Sequence, residues 1–328
     1  MYNSCEGDSI KTIKLQKRGL KPAQSAPPAR SSDAKQSSPI KTIQKSPPAA
    51  LNGGVPSTLL HAEVTSVSGY LDAIAQIEPK SVSPLWFRGI SKVSHTLLPT
   101  IYRNAAGKTE DHLRKMEERL NRRFRDRSMP YSPQARDESS DAAVVHSWWR
   151  LFTMQHYGAP TRLLDWSENA LTALCFAVFG AAVESPCTQD AAVWVLDPSM
   201  WNKIGNSNHE SALSVDEHGA GPYSPLPSLH QHVSTNWPLA IFGMHNSPRI
   251  VTQQGTFVIF SPGKFKSMED HAIEVTSKGH PAILRAITIK KQHISDIASA
   301  LRKLGFVHSS LYPDLYGLST DLKKEFGY

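Results

Sequence analysis

The sequence predicts an α+β fold: a mixed small sheet with flanking helices, preceded by a disordered basic tail. Three observations carry this. Residues 1–60 hold seven Pro and nine Ser but a single aromatic, Tyr2, so they cannot bury enough apolar surface to offset the entropy of ordering. Beyond them, short apolar runs of strand character (LWFRGI, AAVWVL, TFVIF) are mixed with helical patterns, without the regular βαβ rhythm of a doubly wound sheet. No internal repeat is present.

The charge follows the same division. The 328 residues carry a net charge of +7, and the first sixty contribute +6 of it, with nine Lys/Arg against Glu6, Asp8 and Asp33. The remainder is close to neutral and has no excess that demands a polyanion. The tail reads first as a solvated linker. As a basic segment it could also hold a chaperone, a membrane surface or nucleic acid. Ser38 and Ser46, each followed by Pro, are candidate phosphorylation sites. No stretch of 18 apolar residues is present, so a transmembrane segment is not expected. The polar N-terminus does not read as a secretory signal. Cys5, Cys175 and Cys187 are odd in number and form no CxxC pair, which points to a reducing, cytoplasmic setting.

The domain boundaries are therefore 1–60 for the tail and 61–328 for the folded part, with its core motifs at 85–317. Thr65 to Ile77 has helical spacing, with Ser66 or Ser68 as its cap. Pro84 introduces the strand LWFRGI. His112 to Arg127 is a charged helix, Asp126 to Asp141 a polar loop, and Ala142 to Met154 an apolar helix. GAPTRLLDWS follows, then a nearly uncharged helix from Glu168 to Ala182. Ala191 to Leu196, Thr256 to Phe260 and Ala282 to Ile289 read as strands, and Gln292 to Leu304 as an amphipathic helix. Residues 199–238 read as a long irregular, lid-like loop. The C-terminus holds a turn and a short helix.

No P-loop, dinucleotide-binding GxGxxG, HExxH or GxSxG pattern occurs. His230 and His232 are a close pair without further ligands at metal-binding spacing, so no metal site is expected.

Four segments carry a resemblance. They are Phe87-Arg88-Gly89 with Leu98-Pro99 and Arg103; Met154-Gln155-His156-Tyr157-Gly158 running into Pro160-Thr161-Arg162-Leu163-Leu164-Asp165-Trp166-Ser167; Arg249-Ile250 with Gln253-Gln254-Gly255 and Phe257; and Leu311-Tyr312-Pro313-Asp314-Leu315. Together they resemble the FRG-domain family over roughly residues 80–317. That family name fixes neither reaction nor substrate.

The order of the segments is also similar to the layout of ADP-ribosyltransferases of the Arg–Ser–Glu class. That likeness implies NAD as a substrate and a macromolecular acceptor, protein or nucleic acid, in a toxin, defence or stress setting. It implies Arg88 as anchor for phosphate or ribose, Ser167 at a strand end before an alanine-rich helix, and Gln254 where an acid is expected at the start of a later strand. Glu168 is the alternative placement of the acid, or favours the N-terminus of the next helix. Arg88, His156, Tyr157, Arg162, Trp166 and Ser167 would line the NAD site. A guanidinium suits a pyrophosphate because it is permanently charged and bonds bidentately. The Gln in place of an acid leaves three outcomes: a slow transferase, a non-catalytic nucleotide- or partner-binding module, or a different acid.

Structural roles stand beside these. Arg88 and Arg162 each need an anion, either a ligand phosphate or Asp165. His156 and Tyr157 line a pocket or close a turn before Gly158. Ser167 is also a helix-cap candidate. Trp148, Trp149 and Trp166 are core or pocket wall, and Asp314 is a turn residue.

Overall fold

The computed structural model describes residues 54–79, 83–131, 142–182, 187–205, 211–215, 221, 223–225, 236–244 and 247–328, all within the unit Lys45–Tyr328. Most of the proposed tail, residues 1–53, lies outside them, as do His230 and His232. The elements run β1 (Leu60–Val64), α1 (Val67–Ala75), β2 (Trp86–Ile90), α2 (Glu110–Ser128), α3 (Ala142–His156), β3 (Leu163–Ser167), α4 (Ala170–Ala181) and β4 (Ala191–Leu196). Then come α5 (Pro198–Gly205), β5 (Leu213–Ser214), β6 (Leu239–Phe242), α6 (Pro248–Thr252), β7 (Gly255–Ile259), α7 (Met268–Ser277), β8 (Leu284–Ile289), α8 (Ile294–Lys303), α9 (His308–Leu311) and α10 (Leu315–Glu325).

The strands form one mixed sheet of eight, in the order β1-β8-β4-β2-β3-β7-β6-β5. It is larger than the small sheet expected. β1 is the first strand missed; it pairs parallel to β8 at the sheet edge, and its mixed sequence LHAEV carries no clear alternation. β6 is only four residues long.

β4 explains why the sheet is covered on both faces. All six of its residues are buried. Val193 and Val195 join a cluster with α1, α4 and α8, through Tyr70, Leu174, Val178 and Ile297. Ala192, Trp194 and Leu196 join a second cluster with Trp201 of α5 and Met268 of α7. Alternate side chains leave a strand on opposite faces, so an unbroken apolar run marks a strand sandwiched between helical layers. A third cluster packs Trp148 and Phe152 of α3 against Phe257 and Ile259 of β7.

The helix starts are specified locally. Ser66 caps α1 by accepting from the amide of Gly69, Thr109 caps α2 and Asp314 caps α10. α4 is capped by Asn169, whose Oδ1 accepts from the amides of Leu171 and Thr172. The cap is thus neither Ser167 nor Glu168. Within 199–238, the lid-like reading is corrected for the described residues. Its start is the helix α5, and Trp201 and Tyr223 are fully buried in the core. Large aromatics there supply burial that a lid would lack. None of the helices among the described residues is long and apolar enough to cross a membrane.

The sheet has one weak line. β2 pairs with β4 over five residues, and β3 with β7 over five. Yet β2 and β3 share a single register pair, Phe87 with Ser167. The strands part beyond it, and α4 crosses close behind. A Cβ on Gly89 of β2 would lie 1.9 Å from the Ala173 carbonyl oxygen and 2.7 Å from the Ala177 nitrogen. Only glycine permits that approach.

Candidate functional site

A cleft of about 320 Å³ opens beside the parting of β2 and β3. Its lining draws on both half-sheets and on the loops at their ends. Arg88 comes from β2, Asp165, Trp166 and Ser167 from β3, and Gln155 and His156 from the last turn of α3. His95 and Arg103 follow β2, Arg249 and Gln253 precede β7, and Tyr312 arrives from the C-terminal segment.

The long run from Gln155 to Ser167 is first a piece of architecture. α3 ends at His156, and Gly158 reverses the chain with φ of 74°, a conformation that favours glycine. The amides of Gly158 and Ala159 donate to the carbonyls of Gln155 and Met154. The Gln155 amide nitrogen then donates to both carboxylate oxygens of Asp165, at 2.9 and 3.0 Å, while its oxygen accepts from Thr161. Gln155 therefore holds Asp165 in a fixed orientation within the cleft.

Arg88 is the most constrained cation of the cleft. Its Nη1 donates to the backbone carbonyl of Asp165 at 2.5 Å, so the pairing is not with the carboxylate. Its Nε is buried with no hydrogen-bond partner among the described residues. Burial lowers the pKa of its guanidinium, opposed by Asp165 and reinforced by Arg103. Arg103 donates its Nε to the Leu98 carbonyl. Arg249 sits 4.6 Å above the centre of the Tyr312 ring, a cation–π contact. Three guanidinium groups thus border the cleft, against one carboxylate, Asp165. His156 is pushed below its ordinary pKa, by burial first and by Arg249 second, which favours its neutral form.

Ser167 stands where the half-sheets meet. Its hydroxyl donates to the Gln253 carbonyl at 2.6 Å and accepts from the Asn169 amide at 2.9 Å. Gln253 turns its side-chain amide to the Leu311 carbonyl, 2.7 Å away. The C-terminal segment is thereby tied to the start of β7.

Of the residues expected in the site, Arg88, His156, Trp166 and Ser167 come together. Four do not. Arg162 is fully buried, and its guanidinium is taken up by Glu117 and by the carbonyls of Phe260, Tyr223 and Ser224. With four of its five N–H donors bonded inside the protein and no exposed surface, it does not reach the cleft, and its anion is Glu117 instead of Asp165. Tyr157 is 76% exposed and lines a separate groove. Gln254 is exposed, with φ of 47°, and stays outside the cleft lining. Its carbonyl accepts from the Glu168 amide, and Glu168 likewise does not line the cleft.

The sequence reading missed Asp165, Arg103, Arg249 and Tyr312 as cleft residues. A signal existed, because all four lie in the quoted segments, but nothing local says that those segments converge. Among the described residues no cluster of His, Cys, Asp and Glu is arranged to hold a metal ion.

No curated protein and no solved structure matches the chain. Over residues 83–185, from the loop before β2 to just past α4, the chain matches the family model of the FRG domain.

Proposed function

We propose that the cleft binds NAD and that the domain transfers ADP-ribose to a macromolecule. The observation that carries this reading is the convergence of Arg88, Arg103 and Arg249 on a cleft with a single carboxylate. Such a site favours a pyrophosphate, which planar guanidinium groups bond in pairs. Trp166, Phe176 and Tyr312 supply apolar and aromatic walls for a nicotinamide ring. The cleft volume is at the small end for ligand sites, so it suits the nicotinamide end of the dinucleotide, with the adenosine toward its mouth.

In the reaction, a hydroxyl or amine of the acceptor bonds to C1 of the nicotinamide ribose. The bond from C1 to the nicotinamide nitrogen breaks, and its electron pair neutralises the pyridinium. The proton lost by the acceptor passes to Asp165, the carboxylate Gln155 holds in place, or to water. The positively charged centre at C1 is stabilised by position and fixed electrostatics.

One observation favours a second reading, a nucleotide-binding module without turnover. The start of β7 presents Gln253 to the cleft, an amide that is already bonded to Leu311, and no carboxylate.

Calorimetry with NAD, alongside transfer of labelled ADP-ribose to protein and to nucleic acid, separates these. The proposal expects binding and transfer in the wild type and loss of both in Arg88→Ala. Binding without transfer supports the second reading. Unchanged NAD binding in a folded Arg88→Ala protein overturns both.

A further inference from the structure

A groove of about 920 Å³ runs between α2 and α3, next to the cleft, and His156 borders both. We infer that this groove binds single-stranded nucleic acid. As a binding site the inference stands on its own; as the place where the acceptor lies, it rests on the function proposed above.

One wall of the groove is a line of cations. Arg119, Arg123 and Arg127 recur at every fourth residue of α2 and border the groove. That spacing puts them on one helix face, about 6 Å apart along the axis. All three are exposed, and none is in an ion pair among the described residues. Elsewhere on α2, Arg114 and Lys115 are paired with Asp111, whereas no carboxylate lines the groove among the described residues.

The lining also holds aromatic side chains. Trp149 and Tyr157 come from α3 and the turn after it, and Phe124 from α2. Regular cations beside flat apolar faces match a strand whose phosphates are evenly spaced and whose bases are free to stack. An acidic peptide would use the arginines but has no need of the aromatic faces. A duplex offers phosphates but hides its base faces in the stack. His156 borders the groove and the cleft alike, so a strand lying in the groove comes close to the cleft.

The test is fluorescence anisotropy of the full chain with labelled oligo(dT) and oligo(U), without NAD, across a salt series. Leaving out NAD keeps failure of this inference distinct from failure of the NAD reading. The expected result is binding to single strands at least tenfold tighter than to a duplex of equal length. Replacing Arg119, Arg123 and Arg127 together by Ala should weaken it at least tenfold and reduce the slope of log K against log salt by about 2. Tyr157→Ala should weaken binding, and Tyr157→Phe should restore it. Equal binding of duplex, polyglutamate or phosphatidylserine vesicles overturns the inference. So does undiminished binding in the triple Arg variant, which would assign the affinity to the basic segment before residue 60.

Discussion

The Nε of Arg162 lies 2.5 Å from Oε1 of Glu117, and both side chains are almost wholly removed from solvent. This pair ties α2 to the base of β3, and the remaining guanidinium nitrogens hold three carbonyls. Loss of one member strands the other in a poorly solvated site. Arg162→Met is therefore expected to destabilise the fold by about 3–5 kcal/mol, with Glu117→Leu in the same chain recovering much of that. Urea unfolding of the single and double variants measures both. A loss well under 1 kcal/mol in the single variant would contradict the assignment.

Gly89 offers a sharper steric test. The Cβ of an alanine would meet the Ala173 carbonyl oxygen, part of the backbone of α4, which has no rotamer to yield. Gly89→Ala should cost about 1–3 kcal/mol through the forced shift of helix against strand. A thermal melt reads it, and Ser91→Ala on the same segment is the control expected to change little.

Two ionisable groups on α7 make stability depend on pH in opposite senses. Burial pushes Glu269 up to about 7 and His271 down to about 4. The folded state holds a proton on Glu269 that the unfolded chain gives up above pH 4.5, so this contribution fades as pH rises from about 4.5 to 7. The folded state refuses a proton on His271 that the unfolded chain takes below 6.5, so that contribution fades as pH falls from 6.5 to about 4. Across their shared range the two slopes cancel. Glu269→Gln should leave the histidine slope alone, with stability rising by about 1.4 kcal/mol per pH unit between pH 5 and 6. Denaturant titrations at those two pH values would show it, and an unchanged slope would contradict the burial argument.

Asp165 separates binding from turnover. Its carboxylate is held by Gln155, and the Arg88 guanidinium bonds the Asp165 backbone carbonyl instead of it. Asp165→Asn keeps the shape and the cationic wall, so NAD affinity should hold or rise. Transfer should fall by about 100-fold or more if the carboxylate accepts the proton. Single-turnover transfer with a saturating acceptor distinguishes the two effects.

Much of this was legible from the residues. Ser66, one of two cap candidates, marks the start of α1, and the unbroken apolar run of β4 was legible as a buried strand. The proximity of Arg88 to Ser167 was legible only through the order of the segments. What stayed hidden depended on direction and distance. Tyr157 and His156 are neighbours in sequence and their rings meet edge to face, 4.8 Å between centres, yet only His156 reaches the cleft as well as the groove. Arg162 has the same charge as Arg88, but its partner Glu117 lies 45 positions away, beyond any local pattern. Gln254 holds the expected place in sequence, while its φ of 47° takes it out of the cleft and leaves Gln253 there.

The lone Phe87–Ser167 pairing between β2 and β3 also bears on mechanics. A continuous ladder would lock two strands through many bonds; this junction is a crease fastened by one strand pairing and by the Arg88 side chain on the Asp165 carbonyl. A molecule lodged beside it touches both flaps and acts as a cross-brace. Occupancy should therefore protect amides on either side of the crease from hydrogen exchange, including those that no ligand atom reaches.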